Sequence, residues 1–523
     1  MSTGLTERVR GNAGIVWAAA AAVAGLGTWI IYDALPGVNW PFWTLASVTG
    51  LAAVLRTFGL GVHRIPAAAA LTGVIIATAA PFTADPFMHA MIFLAVTLLL
   101  SVTMLLTVDP RLERISAAFV ITAPFLAGAR AIVESVARVI DASRIVRSNR
   151  ARSALKGLAI TAPVILFFAL LLAGADPMFA GWRNAAEQLL SSWAFVPRTI
   201  FFVALLSIVL GTYGFAARGN FSPSDAAMTV APKGSSAEGV DPEKGARPES
   251  GTRWLGATER FILLSSVAAL FWIFLAVQVS YLFGNSPATA GSGVTFAEYA
   301  RRGFGELTVV ATSTVLLILL SERYGQKGHR DGLLRAITLA VIAAVLILLG
   351  SAFHRVSLYE VAYGFTTARL YAQVYILVVA VTLAVLTLEI RREMQSARVF
   401  RRSAAAALAA FVVMIYWNHE AWIARENIAR FSTTGKLDVV YLTRQLSPNA
   451  IPTIVAALPT LPEPIRSQLR SEVRLRYEYS QQLIERHWFE WNRGRSAARN
   501  ALIRIGVATG QRRPPPRTPI VVR

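Results

Sequence analysis

Ala336-Ile337-Thr338-Leu339-Ala340-Val341-Ile342-Ala343-Ala344-Val345-Leu346-Ile347-Leu348-Leu349-Gly350-Ser351-Ala352-Phe353 contains no charged residue. Wound as a helix at ~1.5 Å per residue, it comes close to spanning the ~30 Å hydrocarbon core of a bilayer. A soluble surface helix of that length has one apolar stripe and one polar face, whereas this one is apolar all round. Similar runs recur at roughly 14–32, 40–60, 65–81, 88–107, 157–174, 198–216, 261–283, 305–321, 371–389 and 404–420. About eleven such runs, each near the length that crosses lipid, predict an all-α, polytopic membrane bundle. Helices are the open form that satisfies every backbone N–H inside lipid.

Composition agrees. The chain has 523 residues, 55% hydrophobic and 15% charged, with a mean hydropathy of +0.51, where a soluble chain carries ~25% charged residues. It has no cysteine, which excludes disulfides, thiolate metal sites and a cysteine nucleophile. The net charge of +21 invites a nucleic-acid reading, but its distribution argues otherwise. Just over half of the 51 Lys and Arg lie in alternate connections: Arg8 and Arg10, Arg64, then the stretches 111–156, 218–260, 323–335 and 391–402. The opposite loops hold only Arg183, Arg301, Arg302, Arg355 and Arg369. By the positive-inside rule the N-terminus is cytoplasmic and the C-terminus outside. The basic residues after the last span do not overturn this, because long domains translocate largely regardless of charge. The expectation is a multi-pass protein of a bacterial cytoplasmic (inner) membrane. Its charge faces an anionic inner leaflet rather than nucleic acid.

The organisation read from this pattern has five parts. Residues 1–217 form a first transmembrane block of about six spans, and 218–259, rich in Gly, Pro and Ser, a disordered cytoplasmic linker. Residues 260–417 form a second block of about five spans, 418–510 a small extracytoplasmic helical domain, and 511–523 a disordered tail. Residues 115–129, short and interrupted by Pro124, are placed on the cytoplasmic side as a re-entrant or interfacial piece. The following 130–150 reads as a basic amphipathic helix, with Ile132, Val136, Val139 and Val146 on one face and Arg130, Glu134, Arg138, Asp141, Arg144 and Arg147 on the other. It either lies on the anionic leaflet or packs against the bundle with its polar face in water.

Two outward loops carry the candidate site. In the first, Glu298, Arg302 and Glu306 recur at i, i+4 and i+8 beside Arg301, a charge ladder on one helix face. The second carries Arg355, Tyr359, Glu360, Tyr363 and Arg369, with His354, Thr367 and Tyr371 at related spacing. Together they define a polar vestibule in which Arg302 meets Glu360 or Arg369 meets Glu306. The alternative is structural, with these charges pinning two interfacial helices together. No Walker A motif, dinucleotide fingerprint, HExxH or nucleophile elbow is present, so no catalytic residue and no cofactor are assigned. His419 beside Glu420, with His354 and Glu360, is the nearest approach to a metal set, but it lacks i, i+4 ligand spacing and no metal is expected. Carboxylates deep within spans are nearly absent, which argues against a proton-driven pump.

Glu298-Tyr299-Ala300-Arg301-Arg302-Gly303-Phe304-Gly305-Glu306-Leu307 resembles a signature of the bacterial membrane-protein families called domain of unknown function 4173 and its relative 4153. Leu358-Tyr359-Glu360-Val361-Ala362-Tyr363-Gly364-Phe365-Thr366 with Arg369 resembles it too. So do Asn427-Ile428-Ala429-Arg430-Phe431, Thr434-Gly435-Lys436-Leu437-Asp438 with Tyr441-Leu442, and Trp488-Phe489-Glu490-Trp491-Asn492. The resemblance covers roughly 260–500 and implies a polytopic inner-membrane protein, with no activity to carry over.

The C-terminal part has its own signals. Ser447-Pro448 reads as the N-cap and N1 of a helix, Pro459, Pro462 and Pro464 break the chain, and Arg466 to Ile505 reads as a helix or helix pair. Trp488 and Trp491 share a face. A partner-binding hairpin and a simple cap on the bundle both fit. The first reading of function is a non-catalytic envelope scaffold or signalling accessory that binds a partner through its outer helical domain. A transporter or lipid flippase, and an enzyme acting on a lipid-linked substrate, are the alternatives.

Overall fold

The computed structural model describes residues 13–111, 115–142, 195–217, 257–283, 309–322, 331–392, 395–478, 480–507 and 509. The predicted span 157–174, most of the linker, the vestibule residues Glu298, Arg301, Arg302 and Glu306, residues 143–150 and the tail 511–523 lie outside them. Among the described residues the elements are helices, with no strand. Nine of these helices are long and apolar enough to cross a membrane. The protein is a multi-pass helical membrane protein, and its contacts divide it into two units.

The first unit holds α1 (Ala13–Ile30), α2 (Asn39–Thr57), α3 (Arg64–Ala77), α4 (Pro86–Val108), α5 (Ala117–Ala142) and α6 (Phe195–Ala217). Its core joins Val16, Ala20 and Val23 of α1, Leu51, Val54 and Leu55 of α2, and Val209, Leu210 and Tyr213 of α6. Helices come close in lipid where residues are small. Gly27 faces Trp43 and Leu205, and Gly50 faces the Tyr213 ring, whose hydroxyl donates to the Ser47 carbonyl at 2.7 Å. Asp85 starts α4 as an N-cap, accepting from the Phe87 N–H at 2.9 Å with Pro86 at the first helical position.

α5 departs from the amphipathic reading. It runs unbroken through Pro124 to Ala142, so the two expected pieces are one helix. Its exposed large apolar side chains are Ile121, Phe125, Leu126, Ile132 and Val133, with Thr122 also exposed, while Ala123, Ala127, Ala131, Glu134, Ser135 and Arg138 are buried. The expected polar face thus turns inward at Glu134 and Arg138. The cause is the small-residue stripe, which brings α5 against α6 at Gly211 and Gly214. Arg138 Nε donates to Glu134 Oε1 at 3.1 Å and its NH2 group to the Gly214 carbonyl at 3.2 Å. A buried charge needs such partners. The packing partners of α5 are Ile65 and Ala69 in the first turns of α3, Val102 to Val108 at the C-terminal end of α4, and Gly211 to Phe215 at the C-terminal end of α6. By length and apolarity α5 is one of the nine helices that could cross a membrane.

Residues 443–458 and 462–523 are assigned to this first unit. The described part contains α13 (Ile451–Ala457), α14 (Ile465–Tyr477) and α15 (Arg493–Arg504). Side-chain-to-backbone bonds fasten it to the 31–38 and 78–85 connections. Buried Asn449 accepts from the Ala84 N–H at 2.9 Å, and buried Asn492 donates to the Ala80 and Thr83 carbonyls at 2.9 and 2.6 Å. Arg495 donates to the Pro36 carbonyl at 2.9 Å, and its burial lowers its pKa from the ordinary arginine value.

The second unit holds α7 (Ala257–Phe283), α8 (Val309–Glu322), α9 (Asp331–Tyr363), α10 (Thr367–Ile390), α11 (Ser396–Tyr416) and α12 (His419–Thr434). Residues 418–510, read as one outer domain, are thus divided at Leu442. The core runs along one stripe of α9, Val341, Val345, Leu348, Ala352 and Val356, against Ile376, Val379, Leu383 and Leu386 of α10. At one end of α10 the stripe closes on Glu389, fully buried, which receives Arg398 NH1 at 3.2 Å and Arg402 from α11. At the same end Arg260 of α7 pairs with Glu322 of α8.

Candidate functional site

At the other end of the second unit the chain turns from α9 into α10 through residues 364–366. Gly364 has φ of +85°, a conformation that glycine adopts without steric cost. Thr366 then caps α10, accepting from the Arg369 N–H at 3.3 Å. The buried stripe of α9 continues one turn beyond Val356 to Glu360, which is 4% exposed. A carboxylate therefore occupies a position that the helical repeat would give to an apolar side chain. Gln373 of α10 donates to its Oε2 at 2.7 Å.

Around Glu360 the aromatic and basic residues converge. The Tyr359 and Tyr363 rings lie 4.6 Å apart, and the Arg369 guanidinium sits 4.2 Å from the Tyr359 ring centre, a cation–π contact. Arg369 also donates to the Gly364 carbonyl. Tyr363 is half exposed. Arg355 lies partly buried one turn before Tyr359. The structure thus brings Tyr359, Glu360, Tyr363 and Arg369 around one turn. The proposed pairings of Arg302 with Glu360 and of Arg369 with Glu306 involve residues outside the described ones.

Asn427 and Arg430 of α12, and Tyr441 after it, add groups beyond those whose spacing marked them as candidates. Asn427 accepts from the Phe365 N–H and donates to the Phe365 carbonyl, both at 2.8 Å. Arg430 donates to the carbonyls of Val361, at 2.8 Å, and Ala362, two orphan acceptors of the α9 C-terminus. The Tyr441 hydroxyl accepts from the Thr367 N–H at 2.8 Å, and burial raises its pKa above the ordinary tyrosine value. His419, buried, shares a hydrogen bond with the Tyr371 hydroxyl at 3.0 Å and stands beside buried Glu420. Their signal was present in the sequence, since Asn427, Arg430 and Tyr441 all fall in the motifs quoted above. Among the described residues no three His, Asp or Glu side chains are grouped as metal ligands would be.

A multi-pass helical bundle whose polar side chains gather on one interhelical turn defines a class, not an activity. Residues 67–457 match the family described as Domain of unknown function (DUF4153), and the chain belongs to that family. The match starts well inside the first block and stops before Trp488, so it extends further toward the N-terminus, and less far toward the C-terminus, than the motif reading over 260–500. No curated protein and no solved structure matches the chain.

Proposed function

We propose that this chain is a non-catalytic scaffold or signalling accessory of a bacterial inner membrane, with its N-terminus in the cytoplasm, whose outward 443–507 segment binds an envelope partner. The observation that carries this reading is how the polar cluster is used. Asn427, Arg430, Arg369 and Tyr441 direct their hydrogen bonds onto backbone groups of residues 361–367. Groups engaged in this way hold a turn in shape, whereas a catalytic site aims them at a substrate. The excess of Lys and Arg in alternate connections supports the orientation, and the anionic leaflet facing Arg391, Arg392 and Arg401 is its lipid partner. The order of the C-terminal motifs also supports kinship with family 4173.

Photo-crosslinking in living cells from Leu475 and Ile503, exposed apolar side chains on α14 and α15, tests the reading. A discrete envelope protein captured from both positions is expected, and capture of none would sink it. Alkaline phosphatase fused after residue 510 is expected to be active and fused at residue 240 inactive; the reverse pattern overturns the orientation.

A second reading rests on Glu360 alone. A carboxylate buried at the end of an apolar stripe is a functional group by default in a membrane protein. It would serve a transporter or lipid flippase as a charged group in its outward polar vestibule, or an enzyme on a lipid-linked substrate as acid or base. Full complementation by Glu360→Gln removes both.

A further inference from the structure

Between α1 and α2, at the end of the first unit that carries residues 31–38, lies an apolar cleft of about 390 Å³, within the ~300–1,000 Å³ of ligand clefts. Leu26 and Trp29 form one wall, and Phe42, Leu45 and Ala46 the other. Trp488 and Phe489 of the C-terminal segment roof it, with Trp488 edge-on to Phe42 at 6.0 Å and Phe489 edge-on to Trp29 at 5.7 Å. Trp29, Phe42 and Leu45 are each about half exposed. α1 is long and apolar enough to cross a membrane, and an exposed apolar surface on such a helix meets acyl chains.

An ion pair lies close in sequence to the lining residues. Asp33, three residues beyond the cleft-lining Ile30, and Arg486, two residues before Trp488, pair at 2.9 Å with their side chains 74% and 52% exposed; Arg486 also donates to the Asp33 carbonyl and has the Glu490 carboxylate 3.7 Å from its Nε. Asp33 holds φ at +54°, the left-handed region that Asp enters more readily than most residues. A non-glycine residue held there, beside a cleft and bearing an exposed carboxylate, is a reason to look for a ligand.

We propose that this cleft binds one acyl chain of a glycerophospholipid with a primary ammonium headgroup. The chain lies between α1 and α2 under Trp488, the phosphate lies on Arg486 and the ammonium on Asp33. The charge match selects the headgroup: a phosphate and an ammonium a few atoms apart complement a guanidinium and a carboxylate a few atoms apart. An anionic glycerol headgroup offers Asp33 no cation.

The full chain, purified into nanodiscs of equal phosphatidylethanolamine and phosphatidylglycerol, tests this. With p-benzoylphenylalanine in place of the cleft-lining Phe42, irradiation is expected to add a phosphatidylethanolamine mass several-fold more often than a phosphatidylglycerol mass. Asp33→Asn, which keeps an oxygen to accept from Arg486, is expected to level the two. Separately, a phosphatidylethanolamine carrying a mid-chain diazirine is expected to label α1 and α2 peptides several-fold over the lipid-facing Phe93 and Leu94 of α4. Ala46→Trp is expected to abolish that excess, and the smaller Ala46→Leu to reduce it, with both variants eluting as wild type on gel filtration. Equal labelling of the two surfaces, no headgroup preference, or an adduct to a peptide of this chain or a second copy would each overturn the proposal.

Discussion

Asn427 shows what a single residue decides in this protein. Its amide matches both backbone groups of Phe365, across more than sixty residues of sequence. Asn427→Ala leaves that N–H and C=O without their partner and is expected to cost ~1–3 kcal/mol, read as a lowered thermal midpoint in detergent. Tyr441 gives a pH signature. Its folded pKa is raised by burial, so its contribution is complete below the unfolded value of about 10 and is lost as pH climbs through the folded value. Thermal unfolding followed across that range is expected to fall more steeply for wild type than for Tyr441→Phe. Tyr359, Glu360, Tyr363 and Arg369 were legible as a group because they lie within three helical turns of one another. Asn427, Arg430 and Tyr441 were legible only as motif members. Their contacts reach across the turn, and no local spacing encodes that.

Among the elements, α5 is the instructive one. Its sequence supports a basic amphipathic helix, yet the large side chains at its surface are apolar and two of its charged residues are inside. In water the polar face of a helix turns outward; at a lipid boundary the apolar face can do so, provided the inward charges find partners. Gly211 and Gly214 of α6 make room for them. Gly211→Ala places a methyl group into the Ala131 carbonyl of α5 and is expected to destabilise by at least the ~1–3 kcal/mol of an overpacked core. Gly128→Ala, on α5 itself with nothing near its added methyl, is expected to be neutral or to stabilise by up to ~1 kcal/mol. Measuring both variants by thermal unfolding separates helix propensity from close approach. The periodicity of α5 was visible in the sequence, but the face it buries depended on α6, whose small residues lie about eighty positions away.

For the molecule as a whole, the C-terminal segment is part of the first unit rather than an appendage. Removing residues 443–523 takes away the partners of Ala84, Thr83, Ala80 and Pro36. The truncated chain is expected to be cleaved by trypsin within the first unit at concentrations that leave the intact chain whole. Survival of that unit unchanged would mean that the segment is merely adjacent. The sequence by itself determined the helical membrane class, because runs of apolar residues near bilayer length have one stable solution in lipid and that solution is written locally. It also placed the polar cluster on the stretch 354–371. The tertiary structure decided which faces turn inward, which of the cluster's groups bind the chain's own backbone, and where the segment after Leu442 attaches. Those outcomes depend on small residues and amides meeting partners dozens to hundreds of positions away, and a buried polar group is stable only where such a partner is present.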